Sequence, residues 1–579
     1  MIKDDLTLRL IRTEMERYGV SAELVADDSL DSFELRVENG KLTIAAPDNI
    51  EFLYGVYDFA ERFGGWDFFE PGRDHFDPAR RVSPLPEGVL FPAKKPLLKR
   101  RGFIQEFPFD AETPLLFDWM AKNKLNYLLV WMKYYDHLSD ELKEAARIRG
   151  IVIESGHHNF DYWIPGKVYA ATHPEFFAEI GGKRISPSGN SELLLSEQLC
   201  TTNPELRKEI VARMVQYCAE HPEIKTISLV PNDGFGWCEC PECSKFYDKN
   251  CKGDFYSLSE HVYKADRIYH DLIRDVSAQL NKVRPDIQLT FCAYVNYCAP
   301  SENFTLEPGM AVHLATYWRC INHTLDDPAC PINSHYVSDI KKWCAVKRGG
   351  EVNIYEYFMG VNFYLSLPML HLDEMFHEMR EYNRYQVDGI MTQFHISHWS
   401  VYGINYAFMA RAARGEAAET VQKEFFARRF KGDAARGEAF FRRIKAVLAD
   451  LGKCHIPYPD PFFRRVAKED LCALLEEARL LAGCDPADSF RSELVIWMEY
   501  LVRFKEFYDL NASGKATSGH AEELLNWIGG FRDTRIFVHH KFASYFDRIK
   551  EVLDRGDRWL HFDLDWEDEY IRRHREMLG

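Results

Sequence analysis

Residues 205–233 read ELRKEIVARMVQYCAEHPEIKTISLVPND. The first part, 205–220, has the spacing of an amphipathic helix. A break at His221-Pro222 follows, and then a short apolar run from Lys225 that ends in Pro231, Asn232 and Asp233. A helix feeding a buried strand that closes on polar residues is one unit of an alternating α/β chain. The same alternation continues in both directions. Upstream, GFIQEF begins at Gly102, NYLLVWM at Asn126 and GIVIES at Gly150. Downstream come IQLTFCAYVN at Ile287, AVHLATYW at Ala311, EVNIYEYF at Glu351 and DGIMTQFH at Asp388. Helical stretches such as 205–220 and 261–282 separate several of them. Eight βα units are what a (β/α)8 TIM barrel requires. An open parallel sheet is the competing arrangement. The count of eight and the polar or aromatic residues ending most strands favour the closed form.

Outside this region the pattern changes. Residues 1–95 mix a helix at 6–18 with alternating segments, and 33–46 reads as a hairpin turning at Asn39-Gly40. Helical spacing returns at 51–63, and the Pro-rich stretch 83–96 reads as a linker. After residue 406 the strands stop, and helices such as 418–430, 435–451, 468–482 and 489–511 fill 407–579. The expected architecture is therefore an α/β chain: a small N-terminal α+β domain (1–95), a (β/α)8 barrel (96–406) and an all-helical C-terminal domain (407–579).

Composition narrows the partners. The 579 residues carry 89 acidic and 72 basic side chains, a net charge of −17. That balance argues against a nucleic-acid partner, which needs a basic face to neutralise phosphates, and against an anionic membrane surface. No apolar run approaches the roughly 20 residues of a membrane span. The N-terminal residues carry charges throughout and lack the apolar stretch of a secretory signal, so a cytoplasmic location with reduced thiols is expected. Exposed helices in the C-terminal domain offer a surface for a homodimer.

Barrel enzymes build their sites from the C-terminal ends of the strands. Here those ends supply Trp131 and Lys133 on the second strand, and Glu154, His157 and His158 on the third. Asn232 and Asp233 end the fourth, Tyr317, Trp318 and Arg319 the sixth, and Tyr355 and Glu356 the seventh. Gln393, His395 and Trp399 follow the eighth. Carboxylates for acid/base work, rings for stacking and amide or imidazole donors for hydroxyls suit a carbohydrate substrate. Cleaving a glycosidic bond takes one group to protonate the leaving oxygen and another to activate water or attack the anomeric carbon. Asp233 and Glu356, on strands three apart, are the expected pair, with Glu154 and Glu106 as weaker competitors. Arg319 is a candidate for a substrate carboxylate. The adjacent Asn232 and Asp233 allow a second scheme, in which a 2-acetamido group of the substrate attacks and Asn232 holds it. A non-catalytic carbohydrate-binding protein on a degenerate barrel is the third.

Directly after Asp233 comes GWCECPECSKFYDKNC, in which Cys238, Cys240 and Cys243 form C-x-C-x2-C with Cys251 beyond. Three or four thiolates this close suit a structural tetrahedral zinc, with Cys251 or Cys200 as the fourth ligand. Free thiols or a redox-labile pair are the alternative. No cofactor is expected in catalysis itself.

The stretch 42–74, LTIAAPDNIEFLYGVYDFAERFGGWDFFEPGRD, resembles the N-terminal domains of family 67 α-glucuronidases and family 20 hexosaminidases. RGIVIESGHHNF (149–160), HPEFFAEIGGKR (173–184), LCTTNPE (199–205) and VPNDGFGWCECPEC (230–243) resemble the bacterial α-glucuronidase-like family known as domain of unknown function 4838. The resemblance covers roughly residues 33–400. It implies a glycoside hydrolase barrel with the acid/base residue after the fourth strand, here Asp233, and Glu356 as the water-activating partner. Family 67 enzymes carry Glu where this chain has Asp233, and a further carboxylate near the sixth strand, where this chain has Tyr317-Trp318-Arg319. The activity expected is that of an exo-acting, α-glucuronidase-like glycoside hydrolase.

Overall fold

The computed structural model describes residues 5–185, 198–234, 236–247, 264–317, 319–320, 322–359, 365–449 and 459–558. Each of the eight apolar runs forms a strand of one closed parallel barrel. They are β1 (Arg100–Gln105), β2 (Tyr127–Trp131), β3 (Val152–Gly156) and β4 (Thr226–Ser228). β5 (Gln288–Ala293), β6 (Met310–Ala315), β7 (Glu351–Glu356) and β8 (Gly389–Gln393) complete it. Each strand pairs with the next, and β8 returns to β1 with Gly389 opposite Arg100 and Gln393 opposite Ile104. Strands buried on both faces read as nearly continuous apolar runs, which is why the sequence displays them so plainly.

The period of two along each strand sorts residues between two cores. Phe103, Leu128, Val130, Ile354 and Ile390 face outward into the large core shared with the helices. Ile104, Tyr127, Leu129, Ala315, Tyr355, Tyr357 and Met391 form a separate cluster inside the barrel. Gly102 belongs to the same inward phase of β1 as Ile104. A Cβ there would stand 1.7 Å from the backbone oxygen of Tyr127, so β1 and β2 close around a position only glycine fits.

The N-terminal region opens with the helix Asp5–Tyr18. Strands Glu34–Glu38 and Lys41–Ala46 form the expected hairpin. Asn39 (φ 52°) and Gly40 (φ 73°) both take the left-handed conformation that its two-residue turn demands. The helix Asn49–Arg62, capped by Asp48, covers this sheet. The stretch expected as a linker contributes an edge strand, Gly88–Phe91, paired with Glu34–Glu38. Four residues at a sheet edge tolerate flanking prolines, which hid this strand among turn signals. The region docks on the barrel through Trp119 Nε1 donating to Phe68 O (2.9 Å) and the Lys124–Asp58 ion pair (3.0 Å).

Beyond β8, the helices Trp399–Ala413, Ala418–Phe430, Ala434–Ala449, Lys468–Cys484, Ser489–Ala512, Ser518–Gly529 and His539–Asp554 pack against the barrel and one another. Just before the last of these, Arg535 donates to Pro71 O (2.8 Å), Glu70 (3.3 Å) and Glu112 (3.2 Å). Its own carbonyl accepts from the Ser400 amide (2.9 Å). Among the described residues no helix is long and apolar enough to cross a membrane.

Candidate active site

A cavity of about 310 Å³ opens at the C-terminal end of the barrel, and every strand contributes to its wall. Glu106 follows β1, Trp131 ends β2, and His157 and His158 follow β3. Asp233 follows β4, and Cys292 and Tyr294 come from β5 and its exit. Ala315 and Tyr317 come from β6, Tyr355 and Tyr357 from β7, and Gln393 from β8. Lys541, from the last described helix, completes the wall.

The best-defined group is centred on Glu106. Its Oε1 accepts from the Tyr355 hydroxyl (2.8 Å) and from Gln393 Nε2 (2.5 Å). The backbone amide of His158 donates to Nδ1 of His157 (3.0 Å), which leaves Nε2 to carry the ring proton. Nε2 then donates to the Tyr355 hydroxyl (2.8 Å) and stands 3.5 Å from Glu106. Burial pushes the Glu106 carboxyl above its ordinary value, and the hydrogen bonds from Tyr355 and Gln393 draw it part of the way back. Burial also holds the His157 imidazole well below its ordinary value, with His158 and His313 adding to the effect. His157 takes a left-handed backbone (φ 67°), which turns its ring flat against Trp131, with centroids 4.6 Å apart and planes at 13°.

Asp233 stands at the rim, its side chain 63% exposed and 4.0 Å from His158 Nε2. Glu106 is the more enclosed of the two, its side chain 18% exposed. Below the cavity lies Glu154, fully buried, accepting from Tyr127 (2.5 Å), Thr290 and His313 (2.8 Å). Burial alone would raise the Glu154 carboxyl, but His313, Thr290 and Tyr127 together hold it below its ordinary value. Its oxygens are engaged within the barrel, as befits an orienting residue.

Several expected residues sit elsewhere. Glu356 does not line the cavity. With Tyr355 and Tyr357 facing inward, the residue between them faces the helices. Its carboxylate accepts from Arg319 (2.7 Å), Tyr382 (2.7 Å) and the Tyr357 amide (3.1 Å). Arg319 is buried and shared between Glu356 and Glu378, so its charge is spent inside the protein rather than offered to a ligand. Asn232 is also buried, and its Oδ1 accepts from the Asp161 amide (3.0 Å), which turns it away from an acetamido group in the cavity.

Lys133 lies over the Trp131 ring, 4.8 Å from the centroid, and supports that ring from outside the wall. His395 packs against Phe107 (4.5 Å) and caps Ser397, and burial pushes its imidazole down to about 3. Trp399 packs on Trp119 (4.6 Å), with Nε1 donating to Phe69 O (3.0 Å), and is a core residue. Trp318 lies outside the described residues. Trp131, His157, His158, Asp233, Tyr317, Tyr355 and Gln393 do meet around one cavity. Glu106 continues the inward phase of Gly102 and Ile104, a parity the sequence displays. Lys541 carries no local signal that ties it to the barrel.

Beside the rim, Cys200, Cys238, Cys240 and Cys243 are all buried, and their sulfurs lie within 4.8 Å of one another. Cys251 lies outside the described residues.

No curated protein sequence matches the chain. Among solved structures, a family GH115 4-O-methyl-α-glucuronidase with specificity for decorated arabinogalactans is similar over 92% of this chain and 71% of its own. The identity is 13% and the TM-score 0.51, a likeness of fold alone. A β-N-acetylhexosaminidase from Bacteroides fragilis shares 14% identity over 73% of this chain and 84% of its own, with a TM-score of 0.42. A GH20 exo-β-N-acetylglucosaminidase from Vibrio harveyi shares 12% over 76% and 72%, again with a TM-score of 0.42. A family profile described as Domain of unknown function (DUF4838) matches residues 92–439. That span is more than half of the chain and holds all eight barrel strands, and the protein belongs to the DUF4838 family.

Proposed function

We propose that the protein is an exo-acting glycoside hydrolase that removes one terminal sugar from an oligosaccharide or glycoconjugate, with Glu106 and Asp233 as its working carboxylates. The observation that carries this is the pairing of two carboxylates in opposite settings on one small cavity. At about 310 Å³ the cavity is at the small end of ligand pockets, which suits a single sugar ring rather than a threaded chain. Tyr294, Tyr317, Tyr355 and Tyr357 supply rings and hydroxyl groups on its wall.

Environments that separate two carboxyl groups assign acid and base roles. Glu106, whose carboxyl burial raises above its ordinary value, is the proton donor to the leaving oxygen. One of its oxygens is tied to Tyr355 and Gln393, so the other delivers the proton. Asp233, exposed at the rim, activates water or attacks the anomeric carbon. Lys541 lines the cavity, a basic residue of the kind first expected at Arg319, so uronides belong among the substrates to test.

A panel of aryl glycosides that includes uronides and 2-acetamido sugars tests the reading. On the substrate found, Glu106→Gln should lower kcat/KM roughly 10²–10⁴-fold with a poor leaving group. It should lose far less with a dinitrophenyl leaving group, which departs without a proton. Asp233→Asn should be impaired with both. Full activity of either variant on the poor leaving group removes that residue from the chemistry. Turnover of no glycoside, with saccharide binding intact, favours a binding protein.

A further inference from the structure

We propose that Cys200, Cys238, Cys240 and Cys243 bind one zinc ion as a closed four-thiolate site that fastens the loop carrying Asp233. Zinc–sulfur bonds of about 2.3 Å arranged tetrahedrally place the sulfurs about 3.8 Å apart. Cys200 Sγ lies 3.7 Å from Cys240 Sγ and 3.8 Å from Cys243 Sγ. Both separations match the edge of that tetrahedron, and both are far beyond a disulfide's bond of about 2.05 Å. Polar groups reach two of the four sulfurs from within this buried setting. The Glu179 amide donates to Cys238 Sγ (3.3 Å), and the Arg184 guanidinium approaches the same sulfur (3.6 Å). The Thr202 hydroxyl lies 3.1 Å from Cys243 Sγ. Donors and a cation around the sulfurs offset the two negative charges that a zinc with four thiolates carries.

Four sulfurs leave no open coordination position, so the ion is structural. What it joins gives it a purpose. Cys200 precedes the helix Pro204–Glu220 in the excursion after β3, whereas the other three cysteines follow β4. Two residues before Cys200, Gln198 Nε2 donates to the backbone oxygens of Asn232 (2.6 Å) and Gly234 (3.0 Å), on either side of Asp233. The Glu239 amide donates to Glu179 O (2.7 Å), a second tie between the same two segments. The metal therefore locks one long loop against the other, and Gln198 passes that constraint to the backbone of Asp233.

The test is elemental analysis and X-ray absorption of the full chain purified without chelators. The expected result is zinc bound by four sulfurs at about 2.3 Å. Cys320, His323 and Cys330 also converge within reach of an ion, so total zinc alone does not identify the site. Cys200→Ser should abolish the four-sulfur signal, and Cys320→Ser should leave it unchanged. If Cys200→Ser fails to fold, the wild-type chain with and without a strong chelator decides. Chelation should speed hydrogen exchange in 232–247 at least roughly tenfold and leave the barrel strands protected. Absence of zinc even after its addition, a four-sulfur signal surviving in Cys200→Ser, or exchange indifferent to chelator would each overturn the proposal. None of these readouts depends on turnover, so failure of the glycosidase reading leaves them intact.

Discussion

Glu356→Gln separates a catalytic carboxylate from a structural one. In the native protein Oε1 accepts from Arg319 and Tyr382, and Oε2 accepts from the Tyr357 amide. Glutamine keeps one acceptor. If its oxygen takes the Arg319 and Tyr382 side, its NH2 faces the Tyr357 N–H, donor against donor. If it flips, the NH2 faces the guanidinium instead. Leaving a buried N–H without an acceptor costs about 1–3 kcal/mol, and removing the charge from one arm of Arg319 adds about 1–2 kcal/mol. The sum is about 2–5 kcal/mol. At the roughly 2–4 °C per kcal/mol typical of large domains, a fall in Tm of about 4–20 °C is expected. Thermal unfolding and steady-state kinetics on the same preparation form the assay. Activity measured well below the lowered Tm should stay close to wild type. A loss of roughly a hundredfold in kcat, with Tm unchanged, would show that Glu356 acts on substrate and would refute its placement in the barrel wall.

Gly102→Ala should be among the most damaging substitutions, because the new Cβ meets a backbone oxygen at 1.7 Å that no side-chain rotation can move. A loss of more than about 3 kcal/mol is expected, read as low soluble yield or a lowered Tm. A native melting curve for that variant would mean β1 and β2 do not pair as described. Acidification should also destabilise the fold. His157 is held well below its ordinary value, and His270 and His395 are pushed down to about 3, each chiefly by burial. The unfolded chain then binds more protons, so the stability these groups contribute is present above about pH 6.5 and is lost as pH falls toward 3. Glu106 acts with the opposite sign, losing stability as pH rises through its elevated value. Tm should fall steadily between pH 7 and 4.5, and a flat profile would contradict the neutral burial of these imidazoles.

The barrel was legible because its strands are buried on both faces and its turns are polar, so each strand stands out as an apolar run between helices. The site was legible as a region, since the strand-end rule names the rim without resolving which way each side chain points. Parity decides that. Tyr355 and Glu356 are neighbours, and only one of them can face the cavity. Counting in twos from Ile104 leads to Glu106, and counting from Tyr355 passes over Glu356. His395 and Trp399 fall where the chain leaves β8 and folds back toward the helices, beyond the reach of a strand-end rule. Arg319 and Asn232 found partners that are distant in sequence, Glu378 and Asp161. Cys200 joined the three clustered cysteines for a similar reason: local spacing singles out C-x-C-x2-C, and only the fold brings the fourth sulfur from the preceding loop.

The segment around Arg535 and Lys541 has a consequence for how such proteins diversify. One short stretch holds the N-terminal region at Glu70 and Pro71, meets the barrel at Glu112 and Ser400, and brings Lys541 into the cavity wall. Recombination that exchanged barrels between relatives and left the helical tails behind would part the mouth from a piece of its own wall. Selection on what the mouth admits therefore acts on the tail as well as on the barrel loops. Homologues with matching barrels and divergent residues at 535–541 are where altered ligand preference should first be sought.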